Sequence, residues 1–174
     1  MIPVTIETLI VGSAPAPSVV VLRPFGEFET DGRVLPIWIG PTEAASIGMA
    51  LEGSPRSRPF THDLTKVLMD TSGMDLHHVT IDKVEGTTFF ATMTVSLGDE
   101  MHHIDARPSD SIALAVRSKA AVYVTDEVMD VASFPYLMGL SQMSEDEQIS
   151  AFKRFVDTVS PEDFIPNDSI SRDH

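Results

Sequence analysis

Twice in this chain a run of strand-like alternation stops at a proline followed by a hydroxyl residue and an acid, at Pro41-Thr42-Glu43 and at Pro108-Ser109-Asp110, 67 residues apart. Proline at the first helical position and an acid in the first turn open a helix, so both segments mark a switch from strand to helix. Upstream of the first lie Val4 to Gly12, Ser18 to Leu22 and Val34 to Ile39, each with the spacing or β-branched content of a strand. Pro36 predicts an edge or a strand start for the third. Upstream of the second lie Val79 to Val84, Thr88 to Val95 and Met101 to Ala106. Each half therefore reads strand, strand, strand, helix, which suggests duplication of a βββα unit.

Between the halves, Arg58-Pro59-Phe60-Thr61-His62-Asp63 opens another helix with Leu64, Val67 and Leu68 at helical spacing, ended by Gly73. The fold class expected is α+β: two βββα-type halves, an inserted helix and a C-terminal helix. Helix one should run to about Leu51 and the helix after Arg107 to about Ala120, followed by a strand at Val122 to Val124 and a short helix near Asp126 to Ala132. One domain over residues 1–130 is expected, then an acidic segment over 131–174. There Ser144-Glu145-Asp146-Glu147 resembles a capping box before an apolar stripe of Ile149, Phe152, Phe155 and Val156. The polar end after Ser160 reads as a mobile tail, and the helix as a surface for the core or for a protein partner.

Composition narrows the chemistry. There is no cysteine, which excludes disulfides, thiolate zinc sites and cysteine nucleophiles. No run approaches the roughly 18 uncharged apolar residues that span a bilayer, and Met1 to Glu7 lacks a basic start, so a cytoplasmic protein with no membrane association is expected. The formal charge is −14, opposite in sign to an ordinary nucleic-acid binder. Residues 1–125 carry 9 basic and 15 acidic side chains, against 3 and 11 in residues 126–174, so the excess is concentrated in the tail. Nucleic acid remains a candidate substrate if a local arginine patch or a divalent cation meets the phosphate.

The candidate site follows from the helix openings. Glu43, His62, Asp63, Arg107, Ser109 and Asp110 all lie in or beside first turns, where unpaired N–H groups and the positive dipole end favour anions. Arg58 and Arg107 add guanidinium forks suited to phosphate. In the catalytic reading, Glu43, Asp63 and Asp110 hold Mg²⁺ or Mn²⁺, His62 is a general acid or base, and Arg58, Arg107 and Ser109 bind phosphate. Two other readings stay open. One is a non-enzymatic anion- or nucleotide-binding module. The other is an ion-pair network in a homo-oligomer, with Arg107 on Glu43 or Asp63. The adjacent pairs His77-His78 and His102-His103 are set aside as chelators, because neighbours on a strand face opposite sides.

Three segments carry a family resemblance: Leu35-Pro36-Ile37-Trp38-Ile39-Gly40-Pro41-Thr42-Glu43-Ala44, Arg58-Pro59-Phe60-Thr61-His62-Asp63-Leu64, and Asp105-Ala106-Arg107-Pro108-Ser109-Asp110-Ser111-Ile112-Ala113-Leu114-Ala115-Val116-Arg117. Their order and spacing over residues 1–130 resemble the bifunctional nuclease domain family. That resemblance implies an α+β domain and nuclease activity toward RNA and DNA. The chain departs from the family pattern at Ser111, where alanine is more usual, and at Phe90, where tyrosine is common. Its acidic tail also lacks the UvrB/UvrC-like motif of some relatives, which puts recruitment through that motif in doubt.

Overall fold

A computed structural model describes residues 1–12, 17–26, 32–53 and 57–135. In chain order these form β1 (Ile2–Ile10), β2 (Ser18–Pro24), β3 (Arg33–Ile39), α1 (Pro41–Glu52), α2 (Thr61–Ser72), β4 (Met74–Glu85), β5 (Thr88–Leu97), β6 (Glu100–Ala106), α3 (Pro108–Ser118), β7 (Ala121–Val124), α4 (Asp126–Ala132) and β8 (Phe134–Pro135). The mixed α+β class and the element order strand, strand, strand, helix in each half are as expected, with α2 between them. The expected C-terminal helix and tail lie outside the described residues.

All eight strands join one sheet in the order β6-β5-β4-β7-β1-β2-β3-β8. Neighbours run antiparallel except β4 and β7, which pair in parallel through His78↔Ala121 to Ile81↔Val124. The short β7 thus splices two antiparallel meanders into one sheet. Their order is mirrored about β7, but any two meanders joined at one strand give that order, so it does not establish a duplication. Pro36 sits where β3 pairs with β2, opposite Val21, while the pairing of β3 with β8 is confined to Arg33 and Val34. A residue without an N–H is tolerated there, since among the described residues the second edge has no partner at that point.

Burial explains the layers. Val19, Val20, Val21 and Leu22 of β2 are all fully buried. Val20 and Leu22 join the main core, and Val19 and Val21 join a smaller cluster with Val34. A continuous apolar run is what a strand covered on both faces requires. On the main-core side α1 contributes Ala44 and Ile47, and α3 contributes Ile112, Ala113, Leu114 and Ala115. Burying a side chain the size of Ile47 contributes about 1.5–3 kcal/mol. Gly48 lets α1 settle onto β1, because a Cβ there would come within 3.2 Å of Leu9 Cδ2.

α2 is different. Its buried residue is Met69, while Leu64, Val67 and Leu68 are 52%, 56% and 60% exposed. Their helical spacing correctly marks a helix, yet the stripe faces outward. α3 also ends in an unusual way, with Lys119 in the left-handed region at φ 56°, a conformation glycine adopts more readily. No helix among the described residues is long and apolar enough to cross a membrane.

Candidate functional site

The site begins where β6 gives way to α3. Arg107 is the N-cap, with extended backbone and no side-chain cap bond, and Pro108 follows in the first turn. Its side chain turns back over the helix opening instead: Nε donates to Asp110 Oδ2 at 2.7 Å and Nη2 to Asp110 Oδ1 at 3.1 Å. Nη2 also donates to Glu43 Oε1 at 3.1 Å, tying the opening of α3 to that of α1. Gly40 makes room for this, since a Cβ there would collide with Glu43 Oε2.

His62, in the first turn of α2, stands behind Asp110. Its Nε2 lies 2.9 Å from Asp110 Oδ1 and its Nδ1 lies 2.9 Å from Ser46 Oγ, one turn along α1 from Glu43. Ser46 is 2% exposed. Arg117, two turns beyond Asp110 on α3, closes the arrangement from below. Its Nε donates to Asp63 Oδ1 at 2.7 Å, its Nη2 to Ser46 O and Oγ at 3.2 and 3.0 Å, and its Nη1 to Ala113 O at 2.8 Å. A chain of contacts therefore runs Glu43, Arg107, Asp110, His62, Ser46, Arg117, Asp63 through three helices. Ser46 and Arg117 were not among the residues expected from sequence. Helical spacing was the available signal, because Ser46 follows Glu43 by three and Arg117 follows Asp110 by seven, on shared faces.

Charge in this cluster is well matched. Burial acts to raise the Asp110 carboxyl, but the hydrogen bond from Arg107, the bond from His62 and the positive charge of Arg107, joined by that of His62 when the ring is protonated, together hold it below the usual aspartate value. Arg107 is held above its usual value by its bond to Asp110 and that residue's charge, and then by its bond to Glu43.

Of the expected residues, Glu43, His62, Arg107 and Asp110 are joined by direct contacts. Asp63 belongs one step away: its carboxylate accepts from Arg117 and from Phe60 N at 2.8 Å, capping α2. Among the described residues no three histidine, aspartate or glutamate side chains gather as a metal would need, so Glu43, Asp63 and Asp110 do not converge on one point. Ser109 is buried, at 6% exposure. Arg58 lines a neighbouring cleft of about 590 Å³ with Asp63, Arg117 and Lys119. Arg107 pairs with Glu43 and not with Asp63.

The order Ser46, His62, Asp110 invites comparison with a hydrolytic triad, but the geometry opposes it. A nucleophilic serine must reach substrate, and Ser46 is enclosed and held by Arg117. Solvent is reached on either side of it: at one end Arg107 is 67% exposed, Asp110 29% and Glu43 19%, and at the other Asp63 is 24% exposed.

The histidine pairs lie elsewhere, and the expected alternation fails at one of them. A bulge in β4 between Leu76 and His78 lets His77 bond Ser96 Oγ at 2.8 Å while His78, opposite Thr94, packs edge-on against Tyr123. Thr94 and Ser96 share one face of β5, so the bulge brings both rings toward it. They still serve separate partners. On β6, His103 Nδ1 lies 3.2 Å from Thr94 Oγ1, and His102 is 3.8 Å from Glu100.

Two uncharacterized proteins of Mycobacterium tuberculosis, from strains CDC 1551 / Oshkosh and ATCC 25618 / H37Rv, are each 37% identical to this chain over 139 residues. Each alignment covers 76% of this chain and 81% of the relative. The model of the bifunctional nuclease domain matches residues 25–136, a span that contains α1, α2 and α3 and every contact in the chain from Glu43 to Asp63. With most of the chain accounted for in this way, the protein belongs to the bifunctional nuclease domain family.

Proposed function

We propose that the chain hydrolyses phosphodiester bonds of RNA or DNA at the shared opening of α1 and α3. The observation that carries this reading is the exposed Arg107 guanidinium bridging Glu43 and Asp110. A guanidinium fork donates to phosphate oxygens as readily as to carboxylates. An incoming phosphodiester would draw Arg107 to itself and release the two carboxylates. Glu43 and Asp110 then form an oxygen-only pair close enough to share one guanidinium, a donor set that suits Mg²⁺ or Mn²⁺, since such ions take one or two carboxylates and complete their shell with phosphate and water. When bound, the ion would supply charge neutralisation on the phosphate and acidify a water. In this reading Asp63 stays with Arg117 and is not a metal ligand.

The acidic chain needs local positive charge to approach a polyanion. The neighbouring cleft, where Arg117 is paired with Asp63, supplies it through Arg58 and Lys119, and Arg58 there would take a flanking phosphate. Self-association would use the outward stripe of α2; light scattering should then give a multiple of the 19.0 kDa chain mass for wild type and a monomer for Leu64→Glu/Leu68→Glu, and a monomeric wild type removes this proposal.

A second reading draws on the same contacts: since Arg107, Asp110, Glu43 and His62 already satisfy one another, the cluster could bind a nucleotide or small anion without turnover. Cleavage of single-stranded RNA and DNA with Mg²⁺ or Mn²⁺ separates the two. The nuclease reading expects Arg107→Ala and Asp110→Ala to fall by about 10²-fold or more. Equal rates for wild type and variants, with thermal stabilisation by a nucleotide, would leave the binding module in its place.

A further inference from the structure

We propose that Ser46 and Arg117 are positioning residues that fix the ring proton of His62 on Nε2, so that His62 presents Asp110 and is not itself the base of the site. The argument starts at the deepest group. Arg117 is 7% exposed on its side chain, and a guanidinium has donors and no acceptor. Its Nη2 contact at 3.0 Å therefore makes Ser46 Oγ an acceptor. The Ser46 hydroxyl proton, enclosed at 2% exposure, must then be given to another group. Its other hydrogen-bond neighbour is His62 Nδ1 at 2.9 Å. Nδ1 accepts, and in the neutral ring the proton sits on Nε2, where it is donated to Asp110 Oδ1 at 2.9 Å.

The consequence concerns what the imidazole can do. With its Nδ1 lone pair engaged by Ser46 and its Nε2 bearing a proton, the neutral ring has no free lone pair to offer a water. A protonated ring also donates its Nε2–H to Asp110, so in both charge states His62 is a donor toward that carboxylate. Asp110 receives two bonds from Arg107 and one from His62, and it keeps its orientation through His62 if Arg107 leaves for phosphate. The role of this lock in turnover rests on the phosphodiesterase reading; the proton assignment does not.

Ring nitrogen resonances of ¹⁵N-histidine-labelled protein test the assignment. Wild type should show the neutral His62 ring with a protonated Nε2 and a hydrogen-bonded Nδ1. Ser46→Ala should move Nδ1 toward the position of an unbonded acceptor and leave Nε2 protonated, and Ser46→Thr should restore it. Arg117→Lys, which keeps a donor, should leave Nδ1 near its wild-type position, whereas Arg117→Met should move it. A proton on Nδ1 in wild type, or an Nδ1 resonance indifferent to Ser46→Ala, overturns the proposal; indifference to Arg117→Met in folded protein overturns the part given to Arg117. In an active enzyme, Ser46→Ala should lower kcat on the order of tenfold at unchanged KM. An inactive wild type would count against the phosphodiesterase reading while the ring measurement still decides this one.

Discussion

Two arginines ten residues apart on the α3 segment show how burial divides labour within one cluster. Arg107 opens the helix with its side chain 67% exposed, and Arg117 lies in the last turn at 7%. Both reach carboxylates across a helix boundary, Arg107 to Glu43 of α1 and Arg117 to Asp63 of α2. The exposed one can exchange its partners for a ligand at lower cost, because its own guanidinium already faces water and Asp110 keeps the bond from His62 when it leaves. The enclosed one is costlier to move, because its own guanidinium is out of water and its departure removes a donor from Asp63, Ser46 and the Ala113 carbonyl at once. One guanidinium is thus free to act and the other fixes what it acts with.

Stability measurements sharpen the contrast. Arg117→Met should cost about 2–3 kcal/mol in denaturant unfolding, the scale of charge-assisted hydrogen bonds lost at a mostly enclosed site. Arg107→Met should cost under about 1 kcal/mol; similar losses for both would mean that exposure does not separate them. Asp110→Asn falls between, at about 1–2 kcal/mol near neutral pH, since three donors meet that carboxylate. Because Asp110 in the folded protein lies below the ordinary aspartate value, its contribution is present above that value and is lost as pH falls through the lower, folded one. Wild type and Asp110→Asn should therefore converge in stability at acid pH, and a gap independent of pH would contradict the assigned shift.

The helix openings were legible because they rest on local chemistry. Pro41, Asp63 and Pro108 mark the starts of α1, α2 and α3 through the first turn alone. The strands of both halves were legible from alternation, although β4 begins at Met74, directly after Gly73, and not at Val79. Its early part escapes because Met74 to His78 includes a bulge, which breaks the period of two on which the reading depends. The place of β7 between the two meanders is set by pairing across distant segments, which no local pattern reports.

The site divides along the same line. Meeting of Glu43, His62, Arg107 and Asp110 could be anticipated from the inward direction of first turns. Ser46 and Arg117 share helix faces with Glu43 and Asp110, but spacing alone does not single them out, since a serine in a small-faced helix and an arginine in a last turn each have an ordinary reading as helix surface or dipole partner. Asp63 was expected beside Asp110, but its own first-turn geometry sends it to Phe60 N and to Arg117. The outward stripe of α2 was also invisible, because helical spacing tells that a face exists and not what it meets.

The side-chain Nε–H resonances of the two arginines give the most direct test of the division. On titration with a short single-stranded oligonucleotide and Mg²⁺, the Arg107 resonance should shift as its bonds pass from Asp110 and Glu43 to phosphate, while that of Arg117 stays in place. An Arg107 resonance unmoved at saturating oligonucleotide, or movement confined to Arg117, would contradict the account of a phosphate-receiving opening between α1 and α3.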